Sequence, residues 1–127
     1  MDLSHGIKFS FAPSLAIDGE RAIAAVFYDV YDGERWAGFD DVLVPLWHGA
    51  PTGPALKLSQ FTRTSIERKT PEFALSTRFP AVAPGVFHAP DGRAWLDVLE
   101  TFIPMGVPDS ARLIVYHRID VTGLLKQ

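Results

Sequence analysis

The chain contains no cysteine, which excludes a disulfide framework, a thiolate-held zinc or iron–sulfur site and a cysteine nucleophile. It contains no asparagine either, so N-linked glycosylation has no acceptor, and unusual turn conformations fall to glycine and aspartate. Alanine, proline, arginine and aspartate are plentiful beside these gaps, a bias that fits a GC-rich bacterial coding sequence. No apolar run approaches the ~18 residues needed to cross a bilayer. Met1 to Gly6 shows no basic stretch leading into an apolar one, so a cytoplasmic location is the expectation. Positive charge is not in surplus: the formal net charge is −3 and the isoelectric point is near 5.7. Neither nucleic acid nor an anionic membrane is therefore expected as a partner.

What is present is the composition of a packed globular protein. Of 127 residues, 47% are hydrophobic, 12% aromatic and 21% charged, enough to bury a core without covalent or metal staples. One β-rich domain over residues 1–127 is the expectation. Charge is uneven, with Asp29, Asp32, Glu34, Asp40 and Asp41 followed by a stretch in which Lys57, Arg63, Arg68, Lys69 and Arg78 prevail. Two solvated faces are the preferred reading, with a steering patch for a charged partner as the alternative.

The pattern along the chain is that of short strands separated by turns. Ile7, Phe9 and Phe11 alternate with polar residues at the strand period. Asp18-Gly19, Asp32-Gly33 and Asp91-Gly92 each stand between two apolar segments and predict hairpins. Arg21 to Tyr31 mixes helix-favouring alanines with β-branched and aromatic residues, and the Asp32-Gly33 turn that follows decides for a strand. Asp40 to His48 reads either as a short helix capped by aspartate or as an apolar strand, and Pro45 weakens both. Gly49 to Pro54 is the clearest loop. Leu56 to Ile66 and Phe73 to Phe79 read as further strands, the latter with Phe73, Leu75 and Phe79 inward. Trp95 to Phe102 also fits one helical face, so a strand and a helix both remain open there. Ala111 to Val121 is apolar on both faces at Leu113 to Tyr116, which predicts a central strand covered by two layers.

Eight to ten short, mostly antiparallel strands make an all-β sandwich the expected fold. The alternatives are an α+β fold with a short helix near 95–102 and a β-barrel. The sandwich is preferred because strands broken by proline need edges, and a closed barrel has none.

No short-range motif carries chemistry. His5, His48, His88 and His117 are far apart, with no metal-ligand spacing among them. His117 alternates with Leu113, Val115, Ile119 and Val121, as a hydrogen-bonded core or rim histidine does. His48 follows Trp47 at the lip of the Pro/Gly loop, where loops carry chemistry more often than strands do. No serine sits in a nucleophile elbow, and Asp29, Asp97 and Glu100 are too dispersed to assign as an acid/base pair. Asp29, Asp32, Asp40 and Asp41 invite a calcium reading, but their spacing fits no EF-hand loop, and turns and caps explain them as well. Trp36, Trp47 and Trp95 are core candidates that would also serve as a sugar-stacking platform or a protein anchor.

The functional expectation is a small non-catalytic recognition or adaptor domain that binds a protein partner or itself, with Trp36, Trp47 and His48 as candidate contacts. One alternative is a small enzyme or ligand-binding barrel whose pocket takes His48, His88 or His117 and a small molecule. Another is a glycan-binding module using Trp36 and Trp47. No cofactor and no metal is expected under any of the three.

Overall fold

The computed structural model describes residues 11–58, 77–102 and 113–127; the side chains of residues 11–13, 30, 32, 36–39, 77–79, 102 and 113 are outside that description. The strand expected at Ile7 to Ser10, most of that at Leu56 to Ile66, and Phe73 to Ser76 lie outside the described residues.

Two antiparallel sheets pack as a sandwich, with no closed barrel among the described strands. Sheet A is a meander of β1 (Phe11–Asp18), β2 (Arg21–Asp32) and β3 (Arg35–Trp47), with the short β4 (Ala50–Pro51) and β5 (Leu56–Lys57) along the far edge of β3. Sheet B is built on β8 (Ala94–Phe102). β9 (Leu113–Asp120) pairs with the length of one edge of β8, while β6 (Thr77–Val82) and β7 (Phe87–His88) follow each other along the other. The chain ends in a short helix, α1 (Thr122–Leu125), whose Leu124 is buried.

The hairpins fall where the Asp-Gly pairs predict them, shifted by one position in the first two. Asp18 and Asp32 are the last paired residues of their strands, opposite Arg21 and Arg35. The glycine takes the first turn position, with φ of 63° at Gly19 and 64° at Gly33, a conformation that costs a residue lacking Cβ little. Asp40 to Trp47 continues β3 as strand, not helix. Pro45 is accommodated because β5 pairs at Val42 and Leu43 and β4 at Leu46 and Trp47, so proline falls between the two short neighbours. Trp95 to Phe102 is likewise strand, its inward Leu96, Val98 and Glu100 alternating with outward Asp97 and Leu99.

The sheets share one core. Ile23, Ala25 and Leu43 of sheet A meet Ala94, Leu96, Val98 and Ile119 of sheet B in a single buried cluster. Along one corner the sheets are also joined by hydrogen bonds, Val82 N to Ser14 Oγ at 3.1 Å and Ile17 N to Pro84 O at 2.9 Å. The sheets differ in how their outer faces are treated. Beyond sheet A, Ala24, Val26, Tyr28, Val42, Val44 and Leu46 form a second buried cluster, so β2 and β3 are buried on both faces. This explains why Arg21 to Tyr28 shows no clean alternation: a strand covered on both sides has no solvent face to mark with polar residues.

The opposite holds for β9, where the structure corrects the expectation of a strand covered by two layers. Ile114 and Tyr116 are 68% and 57% exposed, and among the described residues β9 pairs with β8 alone. Its apolar run belongs to a strand whose outer face is open at Ile114 and Tyr116.

Candidate functional site

The open face of sheet B follows from register. Ala81 pairs with Leu99 and Leu99 with Tyr116; Asp97 pairs with Arg118; Phe87 pairs with Trp95. Residues opposite one another in an antiparallel pair point to the same side, so the outward residues of β6 to β9 form continuous rows. Phe87, Leu99, Ile114 and Tyr116 are 55%, 45%, 68% and 57% exposed. Scattered exposed apolar residues are normal, but four large ones on one sheet face make a patch.

A polar network is set into that patch. Arg118 donates to both oxygens of Asp97, from Nε at 2.9 Å and Nη2 at 3.3 Å, and the Tyr116 hydroxyl donates to Asp97 Oδ1 at 2.6 Å. The guanidinium also lies 5.9 Å from the centre of the Phe87 ring. Arg118, and then Tyr116, hold the Asp97 carboxyl below its ordinary pKa. The Asp97 hydrogen bond holds the Tyr116 phenol above its own, and the same carboxylate keeps Arg118 charged. An open groove of about 280 Å³ runs beside the network, lined by Ala81, Val82, Ala83, Asp97, Val98, Leu99 and Tyr116. Its apolar floor with a fixed tyrosine and carboxylate at one side suits an apolar side chain that carries a polar end.

The depressed Asp97 pKa has a sign that can be tested. A carboxyl with a lower pKa in the folded than in the unfolded chain adds stability above its ordinary value, near pH 4, and loses it as pH falls through the folded pKa. Asp97→Asn is therefore expected to melt below the wild type at neutral pH, with the gap closing under acid. Melting curves of both proteins across pH check this; an unchanged gap at every pH would refute the linkage.

The three described histidines are each engaged by a different carboxylate. His117 turns inward from β9 and meets Glu100 with Nε2 3.0 Å from Oε2, its side chain 12% exposed and that of Glu100 fully buried. His88 Nε2 lies 2.7 Å from Asp18 Oδ1, a contact that crosses from sheet B to sheet A at the surface. His48 Nε2 is 3.8 Å from Glu20 Oε2. His48 has a φ of 49° and Gly49 one of 79°, the pair of left-handed residues that closes a tight hairpin between β3 and β4. The groove on sheet B is lined by none of these histidines. His5 lies outside the described residues.

Trp47 is 41% exposed, with His48 edge-on at 4.6 Å and the Arg21 guanidinium 4.7 Å from the ring centre. Arg21 itself bonds the carbonyl of Gln127, so one face of this tryptophan is taken by the chain's own cation. The backbone of Trp36 pairs with Tyr31, and its side chain is outside the described residues. The shared platform expected of Trp36 and Trp47 therefore falls outside the described side chains.

The acids are distributed by the same alternation. Asp40 is on the outer side of β3, accepting from the Tyr28 hydroxyl at 3.3 Å and from the Asp41 N–H at 2.8 Å. Asp41 points to the inner side and has no exposure. Among the described residues no group of three or more histidine, aspartate or glutamate side chains is placed to hold a metal ion. The chain matches no family model, no curated protein and no solved structure.

Sequence reasoning missed Leu99, Tyr116 and Arg118 as site residues and passed over Asp97. Each is ordinary in its local sequence; only the pairing of β8 with β9 sets them side by side. The usable signal was the alternation Tyr116, Arg118, Asp120 beside His117 and Ile119, which marks one polar-tolerant face on a strand otherwise apolar.

Proposed function

We propose that this protein is a non-catalytic recognition domain that binds a protein partner through the open face of sheet B. The observation that carries the reading is the contrast between the sheets: sheet A is buried on both faces of β2 and β3, whereas sheet B leaves Phe87, Leu99, Ile114 and Tyr116 in solvent. Leaving large apolar area in water costs about 25 cal/mol per Å² relative to covering it. Leu15 and Ile17 on β1, Tyr31 and Trp47 are exposed on sheet A as well, but the four sheet B residues share one outer face with the Asp97 network, and an apolar patch of that kind is the signature of a surface covered by a partner. The side chains are also of the kinds that dominate binding energies. Tyrosine and arginine are enriched at hot spots, and Tyr116 and Arg118 are pre-positioned by their bonds to Asp97, which lowers the ordering cost on binding.

The test is affinity co-purification from the native host with the wild type and with Leu99→Glu. Leu99 is half-exposed at the centre of the face, so the charge is tolerated in the folded chain but would be buried unpaired beneath a partner. The wild type is expected to bring down a stoichiometric protein and Leu99→Glu to lose it by tenfold or more, roughly the 1.4 kcal/mol or greater cost of such a buried charge. Equal capture by both, with equal melting temperatures, would overturn the reading.

A further inference from the structure

We propose that the groove on sheet B receives a lysine side chain of the partner, its methylene stem on Ala81 and Leu99 and its ammonium on the Asp97 carboxylate and the Tyr116 hydroxyl. This inference rests on the recognition reading for the existence of a protein partner, and it names the side chain that the partner inserts.

Size sets the class of occupant. About 280 Å³ of open space lies below the range of roughly 300–1,000 Å³ that holds a whole small molecule or cofactor, and it suits one long side chain. The apolar lining, with Ala81 and Leu99 exposed at its surface, takes an aliphatic stem at little cost. The polar groups then decide what ends that stem. The Tyr116 hydroxyl gives its one proton to Asp97 Oδ1 at 2.6 Å, so it offers only lone pairs to a newcomer. Asp97 Oδ1 takes that bond and one from Arg118 Nε at 2.9 Å, while Oδ2 takes a single longer one from Arg118 Nη2 at 3.3 Å. A carboxylate has about four acceptor positions, so one remains beside these three contacts. Arg118 does not line the groove, and the ion pair therefore presents its negative end there. Arg118 and Tyr116 hold the Asp97 carboxyl below its ordinary pKa, which keeps that end charged at neutral pH. The side chains of the groove thus offer acceptors and no donor. Two of its backbone donors are engaged as well, Val82 N by Ser14 Oγ and Ala83 N by Asp97 O.

Charge complementarity selects lysine among the side chains of that length. A leucine or phenylalanine would fill the groove but strip water from the carboxylate without supplying a donor, which is costly. A glutamate would meet Asp97 with like charge. An arginine is matched to the paired oxygens of a carboxylate, and both oxygens of Asp97 are already engaged in that way by Arg118. Lysine carries three donors on a compact head, which fits a single remaining position on a carboxylate and a hydroxyl beside it. The net charge of −3 adds attraction at longer range.

The probe is a capped Ala-Lys-Ala tripeptide, titrated into the isotope-labelled full chain and followed by NMR. Peptides with norleucine or Nε-acetyl-lysine at the centre serve as controls: the first keeps the stem without the cation, the second keeps length and one N–H without the charge. Methyl signals of Ala81, Val82 and Leu99 are expected to shift, with the lysine peptide bound about fivefold or more tighter than either control. Asp97→Asn should abolish that preference, and unchanged positions of core methyls such as those of Leu96 verify that this variant is folded. In the wild type, added salt should weaken the lysine peptide and leave the norleucine peptide unaffected. Equal affinities for lysine and norleucine, or no shift at the groove methyls at high millimolar peptide, overturn the inference. If the peptides are indistinguishable while Leu99→Glu still loses the native partner, the recognition reading stands without a lysine anchor. If the groove selects lysine while Leu99→Glu captures as the wild type does, the lysine site stands and the recognition reading falls.

Discussion

Leu96→Ala is expected to destabilise the protein by about 2–5 kcal/mol, the range for truncating a fully buried leucine. Leu96 has no solvent exposure. It stands on the inner face of β8, opposite Ile119 on β9, and belongs to the cluster that includes Ile23, Ala25 and Leu43 of sheet A. The sandwich is held where these inner faces meet, so a cavity here removes contacts from both layers at once. For a chain of this length the loss corresponds to a fall in melting temperature on the order of 10 °C. Urea unfolding of Leu96→Ala beside Leu99→Ala checks the assignment, because Leu99 is 45% exposed on the outer face of the same strand. Leu99→Ala should cost well under half as much. Equal costs for the two would mean that the faces of β8 are wrongly assigned.

The second large effect is expected at the Glu100–His117 pair. A carboxyl group without solvent exposure lies 3.0 Å from an imidazole that is itself 12% exposed. Removing one member of a buried pair leaves the other to bear its desolvation without that contact, at a cost of about 3–5 kcal/mol. His117→Ala is expected to fall in that range. Replacing both residues by leucine should recover most of the loss, since the polar pair is then exchanged for apolar surface in an apolar layer. A double-mutant cycle by denaturant unfolding measures the coupling directly. Additive effects would show that the two side chains act separately and that the contact contributes nothing specific.

Position along the chain made much of this architecture legible, and register accounts for what was hidden. The Asp-Gly pairs mark local events, and a turn that needs a positive φ can be recognised from a few residues. The inward alternation of His117 with Ile119 and Val121 is local as well, and it correctly gives a hydrogen-bonded interior histidine. Its partner Glu100 was not accessible in this way, because 17 residues separate the two and they meet diagonally across a strand pair. The reading of Leu113 to Tyr116 as doubly covered failed for a related reason. An apolar run identifies a residue type, not what covers it, and Ile114 and Tyr116 retain the same sequence pattern whether a second layer is present or absent. The run Ala22 to Tyr28 shows the converse, since it is a strand buried on both faces and yet its alanines favour helix, so that only the turn after it decided the reading. Trp47 and His48 drew attention by standing next to a Pro/Gly loop, whereas the exposed apolar face was assembled from residues whose neighbours in sequence point inward.

The most direct measurement is hydroxyl-radical footprinting of the isolated chain and of the complex in which it is purified, read residue by residue by mass spectrometry. Phe87, Leu99 and Tyr116 report on the open face of sheet B, while Tyr31 and Trp47, 46% and 41% exposed, report on sheet A as internal controls. The expected result is strong protection of the sheet B residues in the complex with Tyr31 and Trp47 labelled as before. Protection of Tyr31 or Trp47 with Phe87, Leu99 and Tyr116 unchanged would contradict the account and place the binding surface on the other sheet.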